Sequence, residues 1–417
     1  MWPWQFKGLI LRPFPCRSMA WSVIRTCTRA GWLKISAPSS KPGVSTTCAR
    51  IRDRAGVPIS TAPTAAPVVA PRTLEAATSQ PSTPSSNRRI SPMVSEASLA
   101  GALSNRRFEL IVLPTEKCNF RCTYCYEDFQ IGRMKRRTID GIKKLIEVRV
   151  RDIDDFTLSW FGGEPLLAEG VVREIGGFAH GLCKSSGIQF HGALTTNAYT
   201  LQRRLFDDLV AFRHNNYQIT LDGDAEWHDR TRLLANKSGT FDVIWKNLVD
   251  MQGLQQNFRI TLRLHVHSEN IESVRRLYGK VQQAFGGDDR YQVFFHRVSN
   301  LSGEKGIPQT ELGFARYQQV LAYITGAQDV GEPPKATSEA SLGDYICYAA
   351  RPNSLLVRAN GRIGKCTVAL NDPRNDVGRL LDDGTLDLDQ QQLQRWFEGY
   401  RTMDARTLSC PLSTLPA

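Results

Sequence analysis

No stretch of the 417-residue sequence approaches the roughly 20 consecutive apolar residues of a membrane helix, so nothing in it points to a membrane span. Most of the chain also lacks net charge. The formal charge of +12 lies in residues 1–107, where twelve Arg and three Lys face only Asp53, Glu75 and Glu96. The rest holds 38 basic and 38 acidic side chains, leaving no field to attract a polyanion, and nucleic acid is a poor partner. Evenly spread cysteines are missing too. The ten cysteines cluster, three of them between residues 118 and 125, which favours metal binding in a reducing compartment over a secreted disulfide framework. The expected setting is the cytoplasm.

Residues 1–104 lack periodicity and are rich in Pro, Ser, Thr, Ala and Arg, the composition of a disordered segment. The first 52 residues hold no acid, as in a transit peptide, although Trp21–Trp32 is weakly amphipathic at best. The simpler expectation is a natural start at Met93, with Cys16, Cys27 and Cys48 carrying no functional weight.

From residue 105 to 300, strands alternate with helices, the pattern of a parallel sheet wrapped by helices. Strands are expected near Phe108–Pro114, Phe156–Phe161, Ile188–Thr196, Tyr217–Asp222, Arg259–His267 and Tyr291–Arg297. Helices are expected at Thr138–Arg149, Leu166–Cys183, Leu201–Phe212, Phe241–Leu254 and Ile271–Phe285. The predicted fold is α/β, a partial (β/α)6 TIM-like barrel with a small cysteine-containing C-terminal extension and a disordered N-terminal segment. In the fifth strand Ile260, Leu262, Leu264 and Val266 share one face, and Thr261, Arg263, His265 and His267 share the other. Gln218, Thr220 and Asp222 on the fourth strand, and Thr157 and Ser159 on the second, extend that polar face. A closed barrel fills its interior with branched apolar side chains, so a polar lumen predicts an open one that encloses a polar ligand. Residues 301–346 read as a linker with a helix at Thr310–Gly326, and 347–417 as a small unit of its own.

Directly after the first strand stands Cys118-Asn-Phe-Arg-Cys122-Thr-Tyr-Cys125. Three thiolates ligate three irons of a [4Fe-4S] cube and leave the fourth open. The competing possibilities are zinc with a fourth ligand from elsewhere, or unligated cysteines. Later in the chain come Gly162-Gly163-Glu164-Pro165, Thr196-Asn197 and Thr220-Leu221-Asp222-Gly223, then His228 and Arg232.

In order and spacing these motifs resemble the radical S-adenosylmethionine (SAM) superfamily. The resemblance implies a [4Fe-4S] cluster on Cys118, Cys122 and Cys125 that reductively cleaves SAM to a 5′-deoxyadenosyl radical, with electrons from ferredoxin or flavodoxin. It also implies cofactor contacts. Gly162 and Gly163 admit the methionine moiety, Glu164 takes its ammonium and Arg232 its carboxylate. Asn197 and Thr220 lie near ribose and methionine, and Tyr124 against the adenine. No catalytic residue beyond these is assigned. His265, His267, Arg263 and Asp222 are candidates for substrate contact or proton transfer, with plain lumen hydrogen bonding as the alternative. Cys183 reads as a buried apolar residue.

The tail resembles a SPASM-type auxiliary-cluster region of peptide maturases related to anaerobic sulfatase-maturing enzymes. Cys347, the hairpin around Asn360-Gly361, Cys366 and Cys410 carry that likeness. The family pattern continues with further cysteines, and this sequence ends at Ala417. Cys347, Cys366 and Cys410 are thus candidate ligands of one auxiliary cluster, against a zinc site or free thiols. The implied substrate is a peptide or protein. Thr367, where formylglycine-generating relatives carry Asp, counts against that particular reaction. A degenerate non-catalytic iron–sulfur or zinc protein, and a radical enzyme for a small metabolite, are the alternatives.

Overall fold

The computed structural model describes residues 94–298, 311–326 and 345–416. Six strands run in sequence order and parallel: β1 (Arg107–Val112), β2 (Asp155–Trp160), β3 (Gln189–Thr196), β4 (His214–Leu221), β5 (Arg259–Val266) and β6 (Tyr291–Arg297). A short helix, α1 (Glu96–Leu103), precedes β1. The connections carry α2 (Arg136–Arg149), α3 (Glu169–Ser186), α4 (Arg203–Ala211), α5 (Ala225–Thr231), α6 (Phe241–Gln252) and α7 (Ile271–Phe285), and α8 (Phe314–Thr325) follows β6. This is the expected α/β arrangement.

Side-chain alternation sets the layers. Ile260, Leu262 and Leu264 of β5 are fully buried, as are Leu248 of α6 and Val274 and Leu277 of α7. Burying each such side chain contributes about 1.5–3 kcal/mol, which fixes the register of a strand with one apolar face. Thr261, Arg263, Gln218, Thr220, Thr157 and Ser159 are only half-buried and form the opposite, polar face. A cavity of about 310 Å³ opens on that face, between Glu109, Ser159, Asn216, Gln218 and Thr261 and the tail residues Tyr348 and Thr367.

Two features depart from expectation. Residues 94–103 fall in the segment expected to be disordered, yet Ser95 caps α1 by accepting a hydrogen bond from Ser98 N–H. Val94, Leu99 and Ala102 then pack on Ile346, Ala350, Ala405 and Leu408. One eight-residue helix is too short to show periodicity, and its partners lie some 250–310 residues away in sequence. Residues 1–93, which include Met93 and three of the cysteines, lie outside the described residues.

The tail does not stand apart either. β7 (Ser354–Val357) pairs parallel with β1, and β8 (Arg362–Gly364), β9 (Gly378–Leu380) and β10 (Leu386–Leu388) continue antiparallel, giving a ten-stranded sheet. The expected hairpin is present, with Gly361 at φ +85° in its turn. Arg358 after β7 and Glu116 after β1 form a buried ion pair, with Nε 3.1 Å from Oε1.

Candidate active site at the carboxyl ends of the strands

The cysteine loop leaves β1 and is held by backbone bonds to the segment after α5. Arg121 N–H donates to Leu233 O (2.7 Å), Thr123 N–H to Thr231 O (3.0 Å) and Ala235 N–H to Asn119 O (2.8 Å). On its other side it meets the glycine pair. A Cβ on Gly163 would stand 2.3 Å from Lys117 O, and one on Gly162 2.4 Å from Leu113 Cγ; both glycines have positive φ, +43° and +85°. Their lack of side chains therefore serves the seating of the cysteine loop itself. Sequence reasoning missed Glu127, whose carboxylate accepts Gly163 N–H at 2.7 Å and whose pKa is raised by burial to about 7.

The three thiols are largely buried. Burial pushes Cys118 up to about 12 and Cys125 up to about 11, and raises Cys122 as well, so as thiolates they require compensating positive charge. Phe120 N–H donates to Cys118 Sγ at 3.3 Å, and Arg232 lies close enough to favour the Cys122 thiolate.

Around them stands a polar network. Tyr124 OH donates to Asp222 Oδ1 (2.9 Å) and accepts from Arg232 Nη1 (2.8 Å), while Thr231 OH donates to Asp222 Oδ2 (2.7 Å). Burial alone pushes the Asp222 carboxyl up, but His265 and Arg232 outweigh it and hold the group well below the usual carboxylate range. His228, fully buried, bonds Thr240 and so supports the Arg232 backbone rather than facing the thiols.

The expected contact residues meet here with differing freedom. Glu164 is fully buried and already accepts from Leu166 N–H (3.0 Å), Thr196 OH (2.8 Å) and Asn197 N–H (2.7 Å), tying β2 to β3. Asn197 bonds Asn119 on the cysteine loop at 2.8 Å. The Tyr124 ring lies edge-on to His265 at 5.4 Å. Thr220 lines the lumen beside Arg263. Arg232 is the exception: it is 8% exposed and its Nε has no hydrogen-bond partner.

Three buried thiols awaiting positive charge, beside a buried guanidinium nitrogen awaiting an acceptor, fit an iron cluster together with a carboxylate-bearing ligand. Among the described residues no three His, Cys, Asp or Glu side chains converge as a single metal ion would require.

Residues 112–281 match the radical SAM superfamily. The chain carries a radical SAM domain. Radical SAM enzymes use a [4Fe-4S] cluster and SAM, the two groups that the thiols and Arg232 fit. The chain is 28% identical over 183 residues to a cysteine-type anaerobic sulfatase-maturating enzyme of Clostridium novyi, covering 41% of this chain and 47% of that one. It is 38% identical over 113 residues to a GTP 3′,8-cyclase of Gloeobacter violaceus, covering 26% and 32%. It thus spans less than half the length of these curated relatives. In fold it is similar to Streptococcus suis SuiB, solved bound to precursor peptide SuiA, with a TM-score of 0.51, 16% identity, and 74% and 70% of the two chains covered. The radical SAM domain joins the tail through Tyr126, another residue the sequence did not single out: its hydroxyl donates to Thr367 O at 3.2 Å. Cys347, Cys366 and Cys410 lie within electrostatic reach of one another on the tail.

Among the described residues no helix is long and apolar enough to cross a membrane.

Proposed function

We propose that this chain is a radical SAM enzyme that modifies a peptide or protein, with Cys118, Cys122 and Cys125 as the thiolate ligands of its [4Fe-4S] cluster. The observation that carries the ligand assignment is that three buried thiols on one loop lie within electrostatic reach of one another and of Arg232, whose Nε is unpartnered. When bound, the cluster and SAM supply reductive cleavage to a 5′-deoxyadenosyl radical that takes hydrogen from a substrate carbon.

The protein's own residues bind and orient. Arg232 offers its free Nε to the methionine carboxylate while Nη1 stays on Tyr124. Asp222 holds Tyr124 in place and keeps its ring over His265. Gly162 and Gly163 take their part by admitting the cysteine loop, and Glu164 and Asn197 by locking the ends of β2 and β3 to it. Thr220 lines the wall facing the substrate. On the tail, Cys347, Cys366 and Cys410 are the candidate ligands of one auxiliary centre. Electrons come from a low-potential ferredoxin or flavodoxin in the cytoplasm.

Peptide as substrate class is supported by the sulfatase-maturating relative and by the tail closing the lumen through Tyr348 and Thr367. The GTP 3′,8-cyclase matches favour a second reading, a small metabolite. Isotope transfer separates the two. Deuterium from a perdeuterated candidate peptide, such as the product of a short neighbouring reading frame, is expected in 5′-deoxyadenosine, with a matching mass change in the peptide. Deuterium arriving from labelled GTP instead rejects the peptide reading.

A further inference from the structure

Three nitrogen-bearing side chains of the lumen lie together on β5 and β6, and His265 alone among them touches the cysteine loop, through the Tyr124 ring. Arg263 and His265 are successive residues on the inner face of β5, and His296 is the register partner of His265 on β6, with the two rings 5.4 Å apart. His265 is 9% exposed, and neither ring nitrogen has a hydrogen-bond partner; Nδ1 lies 3.2 Å from Asp222 Oδ1, but off the line of a hydrogen bond. Arg263 Nε is buried and unpartnered, and among the described residues no carboxylate forms an ion pair with Arg263. Asp222, the nearest acid, is already engaged by Tyr124 and Thr231. Burial lowers both histidines; Asp222 opposes this at His265, while Arg263 adds to it at each.

A guanidinium nitrogen taken out of water without an acceptor is costly, and buried polar nitrogens are ordinarily bonded. His267 illustrates the satisfied alternative: its Nδ1 accepts Glu269 N–H at 3.3 Å and its ring packs on Trp227 at 5.5 Å. The unpartnered Arg263 Nε and His265 Nε2, with the His296 ring beside them, point to a missing anionic acceptor. The lumen opens beside them, where Phe294, the register partner of Arg263, is 51% exposed.

We infer that Arg263, His265 and His296 form a subsite for a carboxylate of the substrate, supplied by an Asp or Glu side chain of the modified peptide. The planar fork of Arg263 accepts such a group in two parallel bonds, and the histidines donate to whatever lone pairs remain. This subsite rests on the proposed peptide chemistry and selects an acidic residue near the reacting carbon.

The test uses reconstituted, SAM-loaded protein with 13C-labelled histidine, seven signals in all. The probes are acetyl-Gly-Asp-Gly-amide, its Asn counterpart and GTP. The Asp probe is expected to shift two histidine signals, those lost in His265→Gln and His296→Gln. The Asn probe is expected to leave them in place. Arg263→Gln should weaken the Asp probe roughly tenfold, the scale of one charge-assisted bond, and Arg263→Lys should recover part of the loss. Equal shifts from the Asp and Asn probes, or an Asp response unchanged in Arg263→Gln, overturn the subsite. Tighter Arg263-dependent binding of GTP than of the Asp probe overturns its assignment to a peptide. 5′-Deoxyadenosine is measured on the same wild-type samples: its absence rejects the radical chemistry, whereas the probe shifts judge the subsite.

Discussion

At the scale of single residues, burial without compensation marks what each group does. The three loop thiols and Arg232 Nε are uncompensated where a cofactor would complete them. His214, whose Nδ1 bonds Phe212 O while Nε2 has no partner, is buried for a structural reason. It is fully buried, faces Trp160 at 6.1 Å, and fills the space left by Gly176 and Gly192, where a Cβ would come within 2.6 Å of its ring. Burial lowers it to about 4. The unfolded chain takes up a proton near pH 6.5, whereas the folded chain resists until about pH 4, so the unfolded state binds more protons between these values. Stability is therefore full above about pH 6.5 and falls by up to about 3 kcal/mol as the pH drops toward 4. Urea denaturation between pH 7 and 4.5 should show this slope. His214→Asn should lessen it, leaving the part contributed by His228 and His296, which burial also lowers, to about 4 and about 3. A slope equal in wild type and variant rejects the assignment.

Among the elements, β7 has the widest consequences. It adds a parallel strand to β1 and carries Arg358 to Glu116, joining the tail to the start of the cysteine loop. Removing one partner of a buried pair leaves an unmatched charge, so Arg358→Ala should cost about 3–5 kcal/mol. Chemical denaturation measures that cost, and a loss below 1 kcal/mol contradicts it. What the sequence shows of the elements follows the same division between local and distant. α7 and β6 fall on their expected limits because apolar spacing and strand alternation are local signals. The Asn360-Gly361 turn is equally legible. The pairing of β7 with β1, and the seating of α1 on Ile346 and Leu408, join residues more than 240 positions apart and leave no local trace. The candidate site divides likewise. The cysteines, Gly162-Gly163 and Arg232 were legible as motifs, whereas Glu127 and Tyr126 act through partners at Gly163 and Thr367 that no spacing discloses. Glu164 was legible as an acceptor in the motif, but only the folded chain shows the three donors that its carboxylate already takes.

For the whole molecule, the sheet sets out three levels. The carboxyl ends of the strands carry the thiols and Arg232, the middle of the lumen carries Arg263 and His265, and the tail lines the cavity with Tyr348 and Thr367 while meeting the cysteine loop through Tyr126. The proposed chemistry depends on what the three loop thiols hold. Anaerobic reconstitution with iron and sulfide, followed by reduction in the presence of SAM, tests this directly. Replacing Cys347, Cys366 and Cys410 by Ser removes the contribution of the tail to the iron count. The prediction is about four irons per chain and reductive formation of 5′-deoxyadenosine, both lost in Cys118→Ala, Cys122→Ala or Cys125→Ala. One bound zinc, no iron–sulfur spectrum and no 5′-deoxyadenosine would contradict it.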